Sequence, residues 1–241
     1  MNLVFRLIKL FIPSSYIAKL KLRYNVPDMY WSLGNLYCNG FRPNKIIDIG
    51  AFEGEWTKEV SRIFPEASFL MLEAQPSKEE KLKVLKSNKV DYQISLLGPK
   101  SGQKAKFYIN ETVSSALPES AKDNQDFIEI PMCTLDEVLS EKSFTDANFL
   151  KLDVQGYELE VLKGAASILN RVEVVLMEVS LLEINQGAPL IKDVINFMDQ
   201  HSFVCYDICS LIRRPLDKAL WQTDLIFVKK DSALLSSKKY A

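Results

Sequence analysis

The residues of this chain that could do chemistry are mainly acids, and they recur at one kind of place. Each stands where an apolar run stops and a turn or helix-like segment begins. The first is Asp48-Ile49-Gly50-Ala51-Phe52-Glu53-Gly54. Gly50 lets the chain turn sharply and lets a ligand approach the backbone. Gly54 opens the next helix close against that turn. The pattern D-x-G-x-x-x-G differs from G-x-G-x-x-G, whose spacing offers backbone N–H groups to a pyrophosphate. An acid at Asp48 would repel a pyrophosphate and suits a positively charged, phosphate-free nucleoside. Glu73 ends the next run, Leu70-Met71-Leu72-Glu73. An acid at that distance, at the tip of a neighbouring strand, can accept hydrogen bonds from both ribose hydroxyls. Asp48, Gly50, Ala51, Gly54 and Glu73 are therefore the candidate ligand-binding positions.

The second group is Leu150-Lys151-Leu152-Asp153-Val154-Gln155-Gly156-Tyr157-Glu158. Asp153 closes a buried run, and the crevice outside the carboxyl ends of the strands is where open α/β sheets bind ligands. A buried run ending in an acid is costly unless that acid is solvated or paired. Gly156 permits another tight turn and Glu158 starts the helix after it. Glu178 holds the matching place on the following run, Val174-Val175-Leu176-Met177-Glu178. Asp153, Glu158 and Glu178 are candidate catalytic residues. They could take the proton from an attacking hydroxyl, or hold a divalent cation that polarises it.

The elements that must position these residues follow from periodicity. From Lys45 onward, strand-like and helix-like segments alternate, as in a mainly parallel sheet covered by helices on both faces. Strands are predicted over 45–49, 68–72, 92–96, 148–154, 172–179, 203–208 and 224–229, the last two joined as an antiparallel hairpin. Helices are predicted over 55–64, 159–169 and 190–201. Capping boxes, Ser77-x-x-Glu80 and Thr134-x-x-Glu137, open two more. The stretch 98–143 breaks the rhythm with two short strands, 105–109 and 127–132, and is too small for a core of its own. It reads as an insertion in the same domain.

The chain has 241 residues and a formal net charge of −1, a length suited to one such domain. Nothing in that charge calls for nucleic acid. Cys38, Cys133, Cys205 and Cys209 lack the spacing of a secreted disulfide scaffold and read as reduced thiols of a cytoplasmic protein. His201, Cys205 and Cys209 form H-x₃-C-x₃-C, which core packing explains better than zinc does. His201 also reads as a charge at a helix C-terminus rather than a base. Residues 1–24 contain Arg6, Lys9, Lys19, Lys21 and Arg23 and no acid. Arg6 and Lys9 interrupt the apolar runs, so a spanning helix is not expected. The pattern Leu3, Leu7, Leu10, Phe11 gives one helical face, to pack on the domain or lie on a membrane surface or partner. Residues 1–40 are expected to form an N-terminal helical segment, 41–230 the main domain and 231–241 a polar tail.

Together these segments resemble the FkbM family of S-adenosylmethionine-dependent methyltransferases. The resemblance runs from about Phe41 to Lys230. It is carried by DIGAFEG, LEAQP, the LLG before Pro99, TLDEVL, LKLDVQGYELEVLKGA at Leu150–Ala165, MEVS at Met177–Ser180 and TDLIFVKK. It implies a class I, Rossmann-like methyltransferase fold: a mainly parallel seven-stranded sheet with one antiparallel strand and helices on both faces. It implies S-adenosylmethionine as donor and a hydroxyl of a glycan or small metabolite as acceptor. By position, Asp48, Gly50 and Glu73 look like cofactor residues, and Asp153 and Glu158 like active-site residues. The family commonly has asparagine where this chain has Phe52, so the methionine end of the cofactor is expected to be held differently. The insertion, with Ser114 and Ser115, is expected to shape the acceptor pocket. Two other readings compete: a nicotinamide-dependent oxidoreductase, and a non-catalytic binding protein that kept the fold.

Overall fold

The four runs around the acids, 45–49, 68–73, 149–152 and 174–180, are mostly apolar, and nearly every position in them is buried by cover on both faces. In the computed structural model, which describes residues 21, 23–109, 114–120, 125–237 and 239, they pair side by side as the middle of one sheet. The first half of the chain forms α1 (Met29–Cys38), β1 (Lys45–Ile49), α2 (Glu55–Val60), β2 (Ser68–Glu73), α3 (Glu79–Leu85), β3 (Val90–Ile94), β4 (Leu96–Leu97) and β5 (Lys104–Tyr108). Then follow β6 (Phe127–Cys133), α4 (Leu135–Glu141), β7 (Phe149–Leu152), α5 (Glu158–Lys163), α6 (Ala166–Leu169), β8 (Val174–Ser180), α7 (Ile191–Gln200), β9 (Phe203–Ile208), β10 (Ile212–Arg213) and β11 (Leu220–Lys229).

The sheet order is β3-β2-β1-β7-β8-β11, with β9 and β10 both on the outer edge of β11. Neighbours from β3 to β8 are parallel, and β11 runs antiparallel to β8, β9 and β10. The sheet has eight strands where seven were expected. The extra one arises because the outer strand is broken: β9 pairs with Leu225–Lys229, β10 with Leu220–Gln222, and Cys209–Leu211 interrupts them. The single antiparallel strand and its closing hairpin are as expected.

Alternation along the strands divides the core. Ile47, Leu70, Leu150, Val175 and Phe227 face α4 to α7. Ile46, Phe69, Phe149, Leu176 and Ile226 face α1, α2 and Phe64, where Phe41, Trp56, Phe64 and Phe149 meet edge to face. The insertion forms a second, three-stranded sheet, β4-β6-β5.

Several expected boundaries shift. The Ser77 capping box is absent: Pro76 starts a 3₁₀ turn one residue earlier, which places Ser77 inside helical backbone. The Thr134 hydroxyl does cap α4, accepting from Glu137 N at 3.3 Å, while the Glu137 carboxylate accepts from the Ser101 hydroxyl instead of closing the box. The helix expected over 159–169 breaks at Gly164, whose absent side chain would lie 2.2 Å from the carbonyl oxygen of Gly98. The third strand ends at Ile94, and Leu96 and Leu97 join the smaller sheet. The N-terminal helical face read over 3–11 lies outside the described residues.

Candidate active site

The β1–α2 turn carries the first acid motif. Gly50 has φ +75°, and a Cβ there would lie 1.9 Å from the carbonyl oxygen of Asp153. Only glycine fits, since both the backbone angle and the space exclude a side chain. Gly50→Ala is expected to cost about 3 kcal/mol or more of stability. Chemical denaturation checks this, and a loss below about 1 kcal/mol would show that the turn is not this tightly packed. Gly54 (φ +79°) and Ala51 pack beside Met71 and Leu82 rather than lining the crevice.

Asp48 lies elsewhere than a cofactor residue should. It is fully buried on the α1 face of the sheet, beneath the turn. Its carboxylate accepts from the Thr57 hydroxyl at 2.7 Å and pairs with Lys151 Nζ at 3.0 Å. Asp48 and Lys151 are register partners on adjacent parallel strands, which brings the two side chains together. Lys151 Nζ also donates to the Gly50 carbonyl at 3.0 Å and lies 3.7 Å from Asp153 Oδ2. Burial pulls this ammonium down, but Asp48 and Asp153 outweigh it and hold Lys151 above the usual lysine range. Asp48 therefore neutralises a buried lysine that ties the two crevice turns together.

Glu73 does reach the crevice. It ends β2, is nearly buried, and each carboxylate oxygen accepts one backbone N–H: Phe52 N at 2.7 Å and Gln75 N at 2.9 Å. Burial raises its pKa, with these N–H groups opposing the shift. Phe52 has φ +51°, a conformation that asparagine tolerates better than phenylalanine. Its ring packs against the Lys78 ammonium, 3.7 Å from the ring centre.

The β7–α5 turn supplies the opposite wall. Asp153 lines the crevice, with a partly exposed side chain. Gln155 sits at φ +55°, and its Nε2 donates to both Asp153 Oδ1 (2.8 Å) and Glu178 Oε1 (2.9 Å). Gln222 Nε2 donates to the same Glu178 oxygen at 2.6 Å. Burial, then Asp153, Glu158 and Asp224, push the Glu178 pKa well up. Asp224, its register partner on β11, is also raised, first by burial. Asp153 and Glu178 are thus brought together, but an amide donor bridges them where a cation would need open oxygens. Among the described residues no group of three or more His, Cys, Asp or Glu is placed to hold a metal ion.

Glu158 is not part of that group. It is buried, and its Oε1 accepts from Val154 N (3.0 Å) and Gly156 N (3.1 Å), clamping the turn from behind. Burial pushes its pKa up to about 7, from an ordinary 4.5. The folded state therefore holds a proton that the unfolded chain has released between those values. The stability it lends is full below pH 4.5 and is lost as pH rises through 7. The expected decline is about 3 kcal/mol. Glu158→Gln keeps the acceptor oxygen and should remove that decline, which denaturation at acid and neutral pH measures. An unchanged pH slope in the variant would contradict the assignment.

Phe107, Ser114 and Ala116 of the insertion complete the crevice. Ser115 stands behind it, its hydroxyl donating to the Gln155 carbonyl at 2.9 Å. His201 stacks on Phe197 at the end of α7, and no metal cluster joins it to Cys205 and Cys209 among the described residues. Lys151, Gln155, Gln222 and Asp224 were missed from sequence. A lysine inside the run Phe149–Leu152 was the one visible signal, since a buried ammonium needs a partner.

A sequence model described as the methyltransferase FkbM domain matches residues 48–205, more than half of the chain. No curated protein matches. Among solved structures, methyltransferase FkbM from Methylobacillus flagellatus aligns with a TM-score of 0.52 at 18% identity, over 85% of this chain and 49% of that one. This chain thus spans about half the length of that protein. Magnesium protoporphyrin IX methyltransferase from Synechocystis, with bound S-adenosylmethionine, aligns at TM-score 0.48 and 9% identity, over 82% of this chain and 76% of that one.

Proposed function

Because this chain belongs to the FkbM methyltransferase family, whose members depend on S-adenosylmethionine, we propose that it methylates a hydroxyl of a glycan or small metabolite. The observation that carries this reading is the pair of acids on either side of the Gly50 turn, Glu73 and Asp153, in a crevice without a phosphate-binding loop. The donor set fits the cofactor. Each oxygen of Glu73 is anchored by one N–H and keeps a lone pair for a ribose hydroxyl. Leu96, Leu97 and Phe107 offer an apolar wall to a base. Lys151, the one buried cation among the described residues, is matched by Asp48, so Glu73 and Asp153 leave the crevice net negative. That field suits a ligand bearing an ammonium and a sulfonium. The nicotinamide reading loses its basis with the family match.

Bound S-adenosylmethionine supplies a methyl carbon made electrophilic by its sulfonium. The work left to the chain is alignment and removal of one proton. Asp153 accepts the hydroxyl hydrogen and turns the oxygen lone pair toward that carbon. Gln155 Nε2 fixes the Asp153 carboxylate and donates its second hydrogen to Glu178. Asp153, whose side chain is partly exposed, then gives the proton up to solvent, while Glu178 holds the Gln155 amide in place.

The experiment is a panel of hydroxyl acceptors incubated with methyl-labelled donor. Label on acceptor oxygen is expected. Label only on nitrogen or carbon would refute the acceptor chemistry.

A further inference from the structure

Exposed apolar residues gather at the crevice end of the sheet, on the side away from Glu73. Trp56, in the first turn of α2 just past the tip of β1, donates to Met29 Sδ, so the first turn of α1 stands at the strand tips, with Tyr30 and Trp31 exposed there. Tyr24 precedes it, 69% exposed. A groove separates this turn from the end of β9, where Ile208 is also exposed. Past β9 the chain continues through Leu211 into the β10–β11 hairpin, whose tip residue Leu216 is 85% exposed. The hairpin adjoins the site: Ile212 is the register partner of Gln222, whose amide holds Glu178.

The charges on this rim have one sign in excess. Across 21–32 and 207–218, Lys21, Arg23, Arg213, Arg214 and Lys218 face only Asp28, Asp207 and Asp217. Two of those acids are already paired, Asp28 with Lys21 and Asp217 with Arg214. Arg213 and Lys218 stand exposed beside Leu216 with no acid pairing them among the described residues. The chain as a whole carries −1, and residues 1–24, which lead into the rim, hold five cations and no acid.

We propose that this rim docks on an anionic membrane surface, so that an acceptor carried in that membrane meets the crevice from its Asp153–Glu178 side. Tyr and Trp beside Lys and Arg, around protruding leucines, match the headgroup layer: aromatic rings settle at the interface, leucines enter the acyl boundary and cations meet anionic lipid. Lysine is depleted from protein–protein interfaces, and Lys21 and Lys218 stand on this rim, which favours lipid over a protein partner. The docking itself stands on the rim alone. Only its role in acceptor delivery rests on the methyl-transfer reading.

The test is co-sedimentation of the full chain with phosphatidylcholine vesicles, with and without phosphatidylserine, at low and high salt. Binding is expected only to the serine-containing vesicles, weakened by salt, with a blue shift of Trp31 fluorescence that Trp31→Phe removes. Arg213→Gln with Leu216→Ser is expected to lower partitioning about tenfold while leaving the melting temperature and S-adenosylhomocysteine affinity unchanged. Absence of binding to the anionic vesicles would overturn the proposal, as would unchanged binding of the double variant. So would self-association lost in Leu216→Ser without vesicle binding, which would make a second copy the occupant. A chain that binds anionic vesicles but no S-adenosylhomocysteine would support docking and refute the functional reading, so the two fail separately.

Discussion

Asp153→Asn is expected to lower kcat for methyl transfer by about 10²- to 10⁴-fold, the range that a positioned acid or base contributes. The substitution keeps an oxygen where Gln155 Nε2 donates at 2.8 Å, so the turn should keep its shape. It removes the charge that receives the acceptor's proton. S-adenosylhomocysteine affinity should therefore stay within a few-fold of the parent's, and the melting temperature should barely move. Turnover kinetics and calorimetric titration of the same preparation check both halves. A kcat within tenfold of the parent would contradict the assignment, because proton removal would then lie elsewhere. A parallel fall in cofactor affinity would make Asp153 a residue that shapes the cofactor turn.

The second large effect concerns stability. Lys151→Met should cost about 3–5 kcal/mol, because it strands the Asp48 carboxylate inside the sheet without its counter-charge. The pair is 3.0 Å apart, and both side chains are nearly inaccessible. Adding Asp48→Asn removes the stranded charge and leaves an acceptor for the Thr57 hydroxyl, so the double variant should recover about half or more of the loss. A double-mutant cycle by urea denaturation measures this. Additive losses would show that the two residues act separately, and a Lys151→Met cost below about 1 kcal/mol would show that the pair is well solvated. The Lys151 bond to the Gly50 carbonyl should also make the single variant a poor binder of S-adenosylhomocysteine.

The sheet was legible because its strands announce themselves. Phe203–Ile208 and Lys45–Ile49 have the expected limits, since polar or turn residues bound each apolar run. Helix ends were harder, because they depend on close approaches from distant parts of the chain. Position 164, where the helix breaks, has room only for glycine because Gly98 packs against it, which no local pattern contains. The crevice was legible as a place more than as a set of roles. Glu73 and Asp153 lie where acids at strand tips should lie. Asp48 and Glu158 have the same local signature, yet one neutralises Lys151 and the other clamps a turn. Telling them apart requires the neighbouring strand and its register. Asp48 and Lys151 meet only because β7 lies beside β1, and that adjacency emerges from the fold rather than from spacing. Gln155 stayed hidden for a similar reason: a glutamine in a turn has no distinctive pattern until Asp153 and Glu178 are seen on either side of it.

Methyl transfer as proposed requires that the crevice between Glu73 and Asp153 hold S-adenosylmethionine. Calorimetric titration of the chain with S-adenosylhomocysteine tests it most directly, beside Glu73→Ala, which removes the proposed ribose partner. Saturable one-to-one binding by the parent is expected, with an affinity loss of about 10- to 100-fold in the variant, the effect of deleting a charged hydrogen-bond partner. No binding by the parent, or equal binding by both proteins, would contradict it.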